Sequence, residues 1–308
     1  MKKVIVTGGA GFIGSHLVEE LAKRDYQVTI LDDLSTGKKE NIEPFLKQGV
    51  VDFIEGSITD LPLLMNLFKD ALYVFHHAAL AGVPQSIKDP LTANKVNITG
   101  SLNVLLAARD NGIQKVVFAS SAAVYGETTV LPQRENLPPS PLSPYALTKL
   151  AAEYYCEIFR QIYGLSTVSL RYFNVYGTRQ DPFSPYASAI TAFGGRISQN
   201  LPPVIFGDGE QSRDLVFIPD VVAANILAAE NNAEGVFNIG SGRSTTINQL
   251  ADLTLKLAGK DMKPVYQEPR PGDPRQSLAD ISRARSFGYE PKYSLEEGLQ
   301  ITLDGLIS

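Results

Sequence analysis

Tyr145 and Lys149 stand four residues apart in Ser143-Pro144-Tyr145-Ala146-Leu147-Thr148-Lys149, a spacing that puts both side chains on one helix face, a turn apart. A free tyrosine has a pKa of about 10 and is a poor base at neutral pH, but neighbouring positive charge favours its phenolate. A Tyr/Lys pair at this spacing is common on helices without chemistry. Here Tyr145 is the only tyrosine of the chain with a lysine four residues on. It also follows Ser120-Ser121-Ala122-Ala123-Val124-Tyr125-Gly126, which the strand Lys115–Ala119 delivers at its carboxyl end, the edge where open α/β sheets bind ligands.

A second motif supplies the ligand. Val4-Ile5-Val6 reads as a buried strand running into Thr7-Gly8-Gly9-Ala10-Gly11-Phe12-Ile13-Gly14 and then an amphipathic helix. Gly8 makes the tight turn, Gly11 admits a pyrophosphate to the backbone, and Gly14 lets helix and strand pack closely, with the phosphates on the helix's free N–H groups. The alternative is a plain glycine turn. Strand Val28–Leu31 ends in Asp32, placed to bind the adenosine ribose hydroxyls, and no arginine follows directly, which favours NAD over NADP. Asp33-Leu34-Ser35-Thr36-Gly37 is a loop that either wraps the adenosine or is simply solvated.

Alternating elements must position these groups. Val51–Glu55 is a strand with Gly56-Ser57-Ile58-Thr59-Asp60 as its exit turn, and Leu61–Lys69 is helical. Strand Leu72–Phe75 runs into His76-His77-Ala78-Ala79, where small alanines suit a backbone lying against a cofactor. No cysteine or third histidine lies near the pair, so it is assigned structural or cofactor-packing roles and no metal. A helix covers Ile98–Asn111, and a proline-rich loop from Leu131 leads to the Tyr145 helix, capped by Ser143 and reaching about Tyr163. Strands alternating with helices predict an α/β fold with a doubly wound parallel Rossmann sheet and a smaller α/β C-terminal lobe.

The chain has 308 residues, 44% hydrophobic and 20% charged, the composition of a globular protein rather than a disordered or fibrous one. A net charge of −5 and no basic stripe argue against nucleic acid as a partner. Gly8 and Gly9 end the apolar run after Lys2-Lys3 too early for a signal peptide, and no stretch approaches the ~20 apolar residues of a membrane span. The single cysteine, Cys156, excludes an internal disulfide; a cytoplasmic protein is expected.

Taken together, the glycine loop, Ser121 before Val124-Tyr125-Gly126, and Tyr145-x-x-x-Lys149 resemble the extended short-chain dehydrogenase/reductase superfamily. Arg171-Tyr172-Phe173-Asn174-Val175-Tyr176-Gly177, Gly207-Asp208-Gly209, Arg213-Asp214 and Arg270-Pro271-Gly272-Asp273 are similar to its nucleotide-sugar branch, nearest to the UDP-hexose 4-epimerases. The resemblance implies that Tyr145, Lys149 and Ser121 are catalytic, with Lys149 also on the nicotinamide ribose and Ser121 on the substrate hydroxyl. It places further NAD contacts on Gly8, Gly11, Phe12, Ile13, Gly14, Asp32, Asp33, Leu34, Ser35, Thr36, Gly37, Ser57, Ile58, Ala78 and Ala79. Two departures inform the choice among relatives. Ala122 and Ala123 stand where dehydratases and decarboxylases carry acids, and methyl groups cannot shuttle protons. Ser57 replaces an aspartate that contacts adenine in the epimerases.

By the same resemblance Asn174, Arg213, Arg270 and Asp273 grip the UDP moiety, the arginines by guanidinium geometry suited to phosphate, although ion pairing of Arg213 with Asp214 or Arg270 with Asp273 is the plainer reading. The position beside the sugar falls at Ser277, small enough for an acetamido group. The implied reaction is NAD-dependent, reversible C4 epimerisation of UDP-Glc/UDP-Gal and UDP-GlcNAc/UDP-GalNAc through a 4-keto intermediate. A UDP-uronate 4-epimerase, a nucleotide-sugar 4-reductase and a non-catalytic NAD-binding sensor are the alternatives. Residues 1–176, with 217–239 returning, are expected to hold NAD; residues 177–216 and 240–308 are expected to form the nucleotide-sugar lobe. A homodimer built from the Ile98–Asn111 and Tyr145 helices is the family expectation.

Overall fold

The computed structural model describes residues 1–24, 26–181, 188–269 and 274–307. Six strands come first: β1 (Lys2–Thr7), β2 (Tyr26–Asp32), β3 (Val51–Glu55), β4 (Tyr73–His76), β5 (Lys115–Ser121) and β6 (Thr167–Tyr172). Short ones then follow: β7 (Asn174–Tyr176), β8 (Val204–Phe206), β9 (Ser212–Arg213) and β10 (Leu215–Phe217). After them come β11 (Gly235–Ile239), β12 (Thr245–Thr246) and β13 (Val265–Gln267).

Seven of these form one parallel sheet in the order β3-β2-β1-β4-β5-β6-β11. The order reverses between β1 and β4, which opens a crevice at their carboxyl ends. Among the described residues, three separate two-stranded pieces pair apart from it, β7 with β10, β8 with β13 and β9 with β12, and an isolated bridge joins Gln133 to Ala279. The expected doubly wound fold with a smaller α/β part is what the chain adopts.

Strand alternation divides the core between the two faces of the sheet. Val4, Val6 and Val117 pack with Leu17 and Val18 of helix Phe12–Lys23 and Val221 of helix Ile218–Glu230. Ile5, Val116 and Phe118 pack on the opposite face with Leu64, Val104, Leu105, Cys156 and Phe159. The long helix Pro144–Tyr163 thus lies across β5, where its first turn meets the strand's carboxyl end.

Local boundaries mostly follow the residue types. Ser143 accepts from Ala146 N at 3.1 Å and starts the long helix, and Gly164 ends it with φ +69°. One boundary differs from the sequence reading. The helix expected from Ile98 is already helical at Pro90, because Asp89 caps the N–H of Thr92 at 3.0 Å. Lys95–Gly100 then widens into a π-helical turn before the regular stretch Ser101–Asp110.

The glycine loop shows why those positions carry no side chain. Gly8 has φ +72°, and a Cβ there would sit 2.6 Å from the Ala78 nitrogen; a Cβ on Gly14 would press into the Gly8 carbonyl and lie 2.8 Å from the Gly9 Cα. Gly14→Ala should therefore destabilise by roughly 1–3 kcal/mol through overpacking, opposite in sign to the usual helix gain from alanine. Thermal unfolding and the NAD content of the purified variant check this; an unchanged melting temperature would rule out the tight contact.

Candidate active site

The first site element is the crevice beside β1. Gly8 N donates to Leu31 O at 2.8 Å, and His77 N donates to Thr7 O at 3.0 Å, tying the loop to both neighbouring strand ends. The helix that follows begins at an N-cap glycine, Gly11, with no side-chain cap and no acid in its first turn. The first-turn N–H groups at Phe12 and Ile13 therefore present a bare positive dipole end. Asp32, only 7% exposed, accepts from Ala10 N and Leu34 N, each at 2.9 Å. Burial raises its carboxyl pKa, and those two N–H groups pull it back.

Its loop folds over it. Asp33 accepts from Ser35 N at 3.0 Å, Lys38 N donates to Ala10 O at 3.0 Å, and a Cβ on Gly37 would lie 2.8 Å from Asp32 Oδ1. Thr36 joins this loop, and Leu34 takes φ +54°. Ala78, whose N–H donates to Thr7 Oγ1 at 3.3 Å, and Ala79 continue the β4 edge. The cradle that side chains would fill, the bare helix end and the acid at the carboxyl end of β2 fit a dinucleotide.

At the exit of β3, Ser57 and Thr59 share a hydroxyl hydrogen bond at 3.0 Å. Ile58 is 3% exposed and packs in the core against Gly100, and its carbonyl accepts from Asn103 Nδ2 at 3.2 Å.

At the carboxyl end of β5 the structure brings Ser121, Tyr145 and Lys149 together. Ser121 Oγ accepts from Ala123 N at 3.1 Å, and its hydroxyl also meets the Tyr145 phenol. The Lys149 ammonium is buried; it donates to Ala119 O at 2.8 Å, lies 5.0 Å from the Phe118 ring centre and 5.9 Å from that of Tyr145. Burial lowers its pKa to about 8, against the attraction of Glu153 one turn further on. Burial raises the Tyr145 phenol, while the Ser121 hydroxyl beside it acts in the opposite direction.

Three residues that sequence reasoning missed hold Tyr145. Ser86, fully buried, accepts from Tyr145 N at 3.0 Å and donates to Val83 O at 2.7 Å. Thr148 Oγ1 donates to Tyr145 O at 2.8 Å. Asn97, inside the π-helical turn, donates to Thr148 Oγ1 and to Leu80 O, each at 3.0 Å, and accepts from Leu80 N at 2.8 Å. An asparagine in the middle of an apolar helical run is a poor helix former and was the available signal.

The two histidines have their own partners. His76 bridges Thr7 Oγ1 (2.7 Å) and Ser101 Oγ (2.9 Å); His77 meets the Tyr172 hydroxyl at 3.1 Å and stacks on its ring. Burial depresses both, His77 to about 3, so both rings are neutral at physiological pH.

The expected nucleotide-sugar residues gather further along the same edge. Ser121 pairs level with Tyr172, and two residues later Asn174 donates from both its backbone N and Nδ2 to Asp214 O at 3.1 Å. The Ser212 carbonyl accepts from Arg213 Nη1 at 2.8 Å and from Ser277 N at 3.1 Å, which makes Arg213 and Ser277 neighbours. The Asp214 carboxylate accepts from Ser241 N and Oγ, Gly242 N and Ala279 N at 2.7–3.0 Å, a loop-holding role rather than the simple ion pair considered above. Arg270 and Asp273 lie outside the described residues.

Comparison with known proteins agrees with this geometry. A family model described as "NAD dependent epimerase/dehydratase family" matches residues 4–240. The chain is similar to a UDP-N-acetylglucosamine 4-epimerase from Methanobrevibacter ruminantium, solved with UDP-N-acetylmuramic acid: 45% identity, TM-score 0.96, covering 99% of this chain and 98% of the other. A UDP-glucose 4-epimerase from Thermotoga maritima, solved with UDP-glucose, is 44% identical with TM-score 0.94 and 98% of each chain covered. The UDP-glucose 4-epimerase of Mycolicibacterium smegmatis is 38% identical over 307 residues, 98% of this chain and 97% of the other.

Removing the Asn97 amide strands the Leu80 backbone groups and should cost about 1–3 kcal/mol. Because the same amide steadies the residue that holds Tyr145 O, Asn97→Ala should also lower kcat several-fold more than it raises KM. Paired melting curves and steady-state kinetics check both; a lower melting temperature with unaltered kcat would confine Asn97 to stability.

Proposed function

Since the chain belongs to the NAD dependent epimerase/dehydratase family, we propose that it catalyses the reversible, NAD-dependent C4 epimerisation of UDP-hexoses. The observation that carries this reading is the convergence of Ser121, Tyr145 and Lys149 beside the glycine-loop crevice, with only methyl groups at Ala122 and Ala123. Tyr145 takes the proton of the sugar's 4-hydroxyl and later returns one, and Ser121, whose hydroxyl lies beside the phenol, orients that hydroxyl. Lys149 keeps its ammonium at the edge, donating to Ala119 O with two protons left for ribose hydroxyls. Bound NAD supplies the acceptor and donor of the C4 hydride and, when oxidised, a positive ring that favours the phenolate. Gly8, Gly11, Phe12, Ile13, Gly14, Asp32, the 33–37 loop, Ser57 and the Ala78-Ala79 backbone are assigned to hold it.

The nucleotide grip is assigned to Asn174, Arg213, Arg270 and Asp273. Residues 1–176 with 217–239 are read as the NAD-binding unit, supported by β11 joining the large sheet, and 177–216 with 240–308 as the sugar-nucleotide lobe. Ser277, half-buried next to Arg213, leaves room for a 2-acetamido group, so UDP-GlcNAc/UDP-GalNAc is included with UDP-Glc/UDP-Gal. The lone cysteine, Cys156, is free and buried, consistent with a cytoplasmic site of action that cell fractionation tests.

NMR time courses with UDP-GlcNAc and with UDP-Glc, without added NAD, should show both C4 epimers. Tyr145→Phe should lose roughly 10²–10⁴-fold in rate while keeping bound NAD; near-normal turnover would overturn its role. Ser277→Tyr should suppress the acetylated pair and spare UDP-Glc. Conversion of UDP-uronates alone, or net oxidation of a reduced cofactor, would replace the hexose epimerase reading.

We also propose a homodimer through the long helix. Leu147, Tyr154, Ile158 and Ile162 form an exposed apolar stripe on Pro144–Tyr163, beside exposed Leu91. Light scattering should give twice the chain mass for the wild type and a single-chain mass for Leu147→Glu/Ile158→Glu; a monomeric wild type would refute the dimer.

A further inference from the structure

Beneath the catalytic pair lies a buried ion pair that the reaction does not itself consume. Glu153 and Arg171 have side chains 3% and 5% exposed. Arg171 Nε donates to Glu153 Oε1 at 2.9 Å and Nη2 to Oε2 at 2.7 Å, and Ser120 Oγ donates to the same Oε1. The guanidinium lies 4.7 Å over the Tyr125 ring, and Nη1 donates to Glu135 O at 3.4 Å. Ser120 and Arg171 are paired neighbours on β5 and β6. Ser120 stands between Ala119, whose carbonyl receives the Lys149 ammonium, and Ser121. Glu153 itself follows Lys149 by one helical turn.

We propose that Glu153 is a positioning residue for the epimerisation chemistry: its carboxylate, gripped by both arms of Arg171 and anchored to Ser120, holds the Lys149 ammonium and the Ser121 strand end in working register. The inference rests on the reading of Tyr145 and Lys149 as the catalytic pair. Stability alone explains the pair poorly, since apolar residues of similar volume commonly replace a buried ion pair without loss. Its placement explains it better. Of the titratable groups facing Lys149, Tyr145 is held protonated by burial, Cys156 on the same helix is pushed up to about 12, and His76 and His77 on β4 are held neutral. Glu153 is left to oppose the burial that lowers Lys149, with Arg171 the compensating charge behind it. The folded pKa of Lys149 lies below its ordinary value, so the ammonium is complete below about pH 8 and is lost as pH rises through that value.

The test compares the wild-type holoenzyme with Glu153→Gln and with the charge-free double variant Glu153→Met/Arg171→Met. Two readouts are taken: the alkaline limb of the kcat–pH profile, and the ¹³Cε NMR titration of Lys149, assigned with Lys149→Met. In Glu153→Gln only the Arg171 charge remains, so the Lys149 midpoint should fall by about one pH unit or more. The double variant, with neither charge, should fall between it and the wild type, and NAD content should stay unchanged in all three. Midpoints equal within a few tenths of a unit, whatever the melting temperatures, would overturn the proposal. If Glu153→Gln fails to fold, the wild type against the double variant decides, because a lower midpoint is still required. Should the wild type prove inactive on UDP-hexoses, the NMR titration still reads the coupling, so failure of the reaction and failure of Glu153 are told apart.

Discussion

A lysine ammonium taken almost wholly out of water is the constraint on which the active edge of this protein depends. Lys149 is 4% exposed, and such a group is tolerated only where hydrogen bonds and opposite charge replace its hydration. The Ala119 carbonyl, the Phe118 ring face and the carboxylate a turn away do so. To reach that carbonyl the long helix must lie close on β5, which Ala146 and Ala152, each 1% exposed, allow. Its start must also be fixed, and Ser143, Ser86 and Thr148 fix it by bonds to the first-turn backbone. Tyr145 then has little freedom left.

The periodic part of this arrangement was legible in the amino-acid order. Buried β-branched runs marked the strands, the glycine spacing marked the tight loop after β1, and four-residue spacing set Tyr145 and Lys149 on one face. What the order hid are bonds between segments distant in sequence, which leave no period. Asn97 acts on Leu80 and Thr148, and Ser86 on Tyr145, through contacts that only the fold creates. The helix start at Pro90 was missed for a related reason: Asp89 is a cap, and the polar Asn94 and Asn97 disguised a helix that widens where an asparagine turns inward. Arg213-Asp214 misled in the opposite way. Adjacent charges suggest each other as partners, yet Asp214 is fully buried and spends its carboxylate on Ser241, Gly242 and Ala279.

These polar anchors divide the labour between the two parts of the chain. Near the sheet, the backbone groups and small residues of the proposed NAD site would hold a cofactor that is regenerated in every cycle and need not leave. Beyond it, the short strand pairs and the Asp214-bound loops set Arg213 beside Ser277 with far less regular structure. A grip made of side chains on such loops can be firm on a diphosphate while leaving a sugar room to turn, which epimerisation requires.

The place of β11 has a consequence for how the molecule is made. Its partner β6 ends at Tyr172, whereas β11 begins only at Gly235, after the chain has built β7 to β10 and the helix Ile218–Glu230. During synthesis from the N-terminus, β6 therefore emerges as an unpaired sheet edge and stays so until that whole excursion is complete. An open parallel edge invites pairing with another chain. A ribosome stalled between these two strands would thus release a fragment with its glycine loop and Tyr145 helix formed in sequence but its sheet still adhesive, so rapid completion of the second part protects the first.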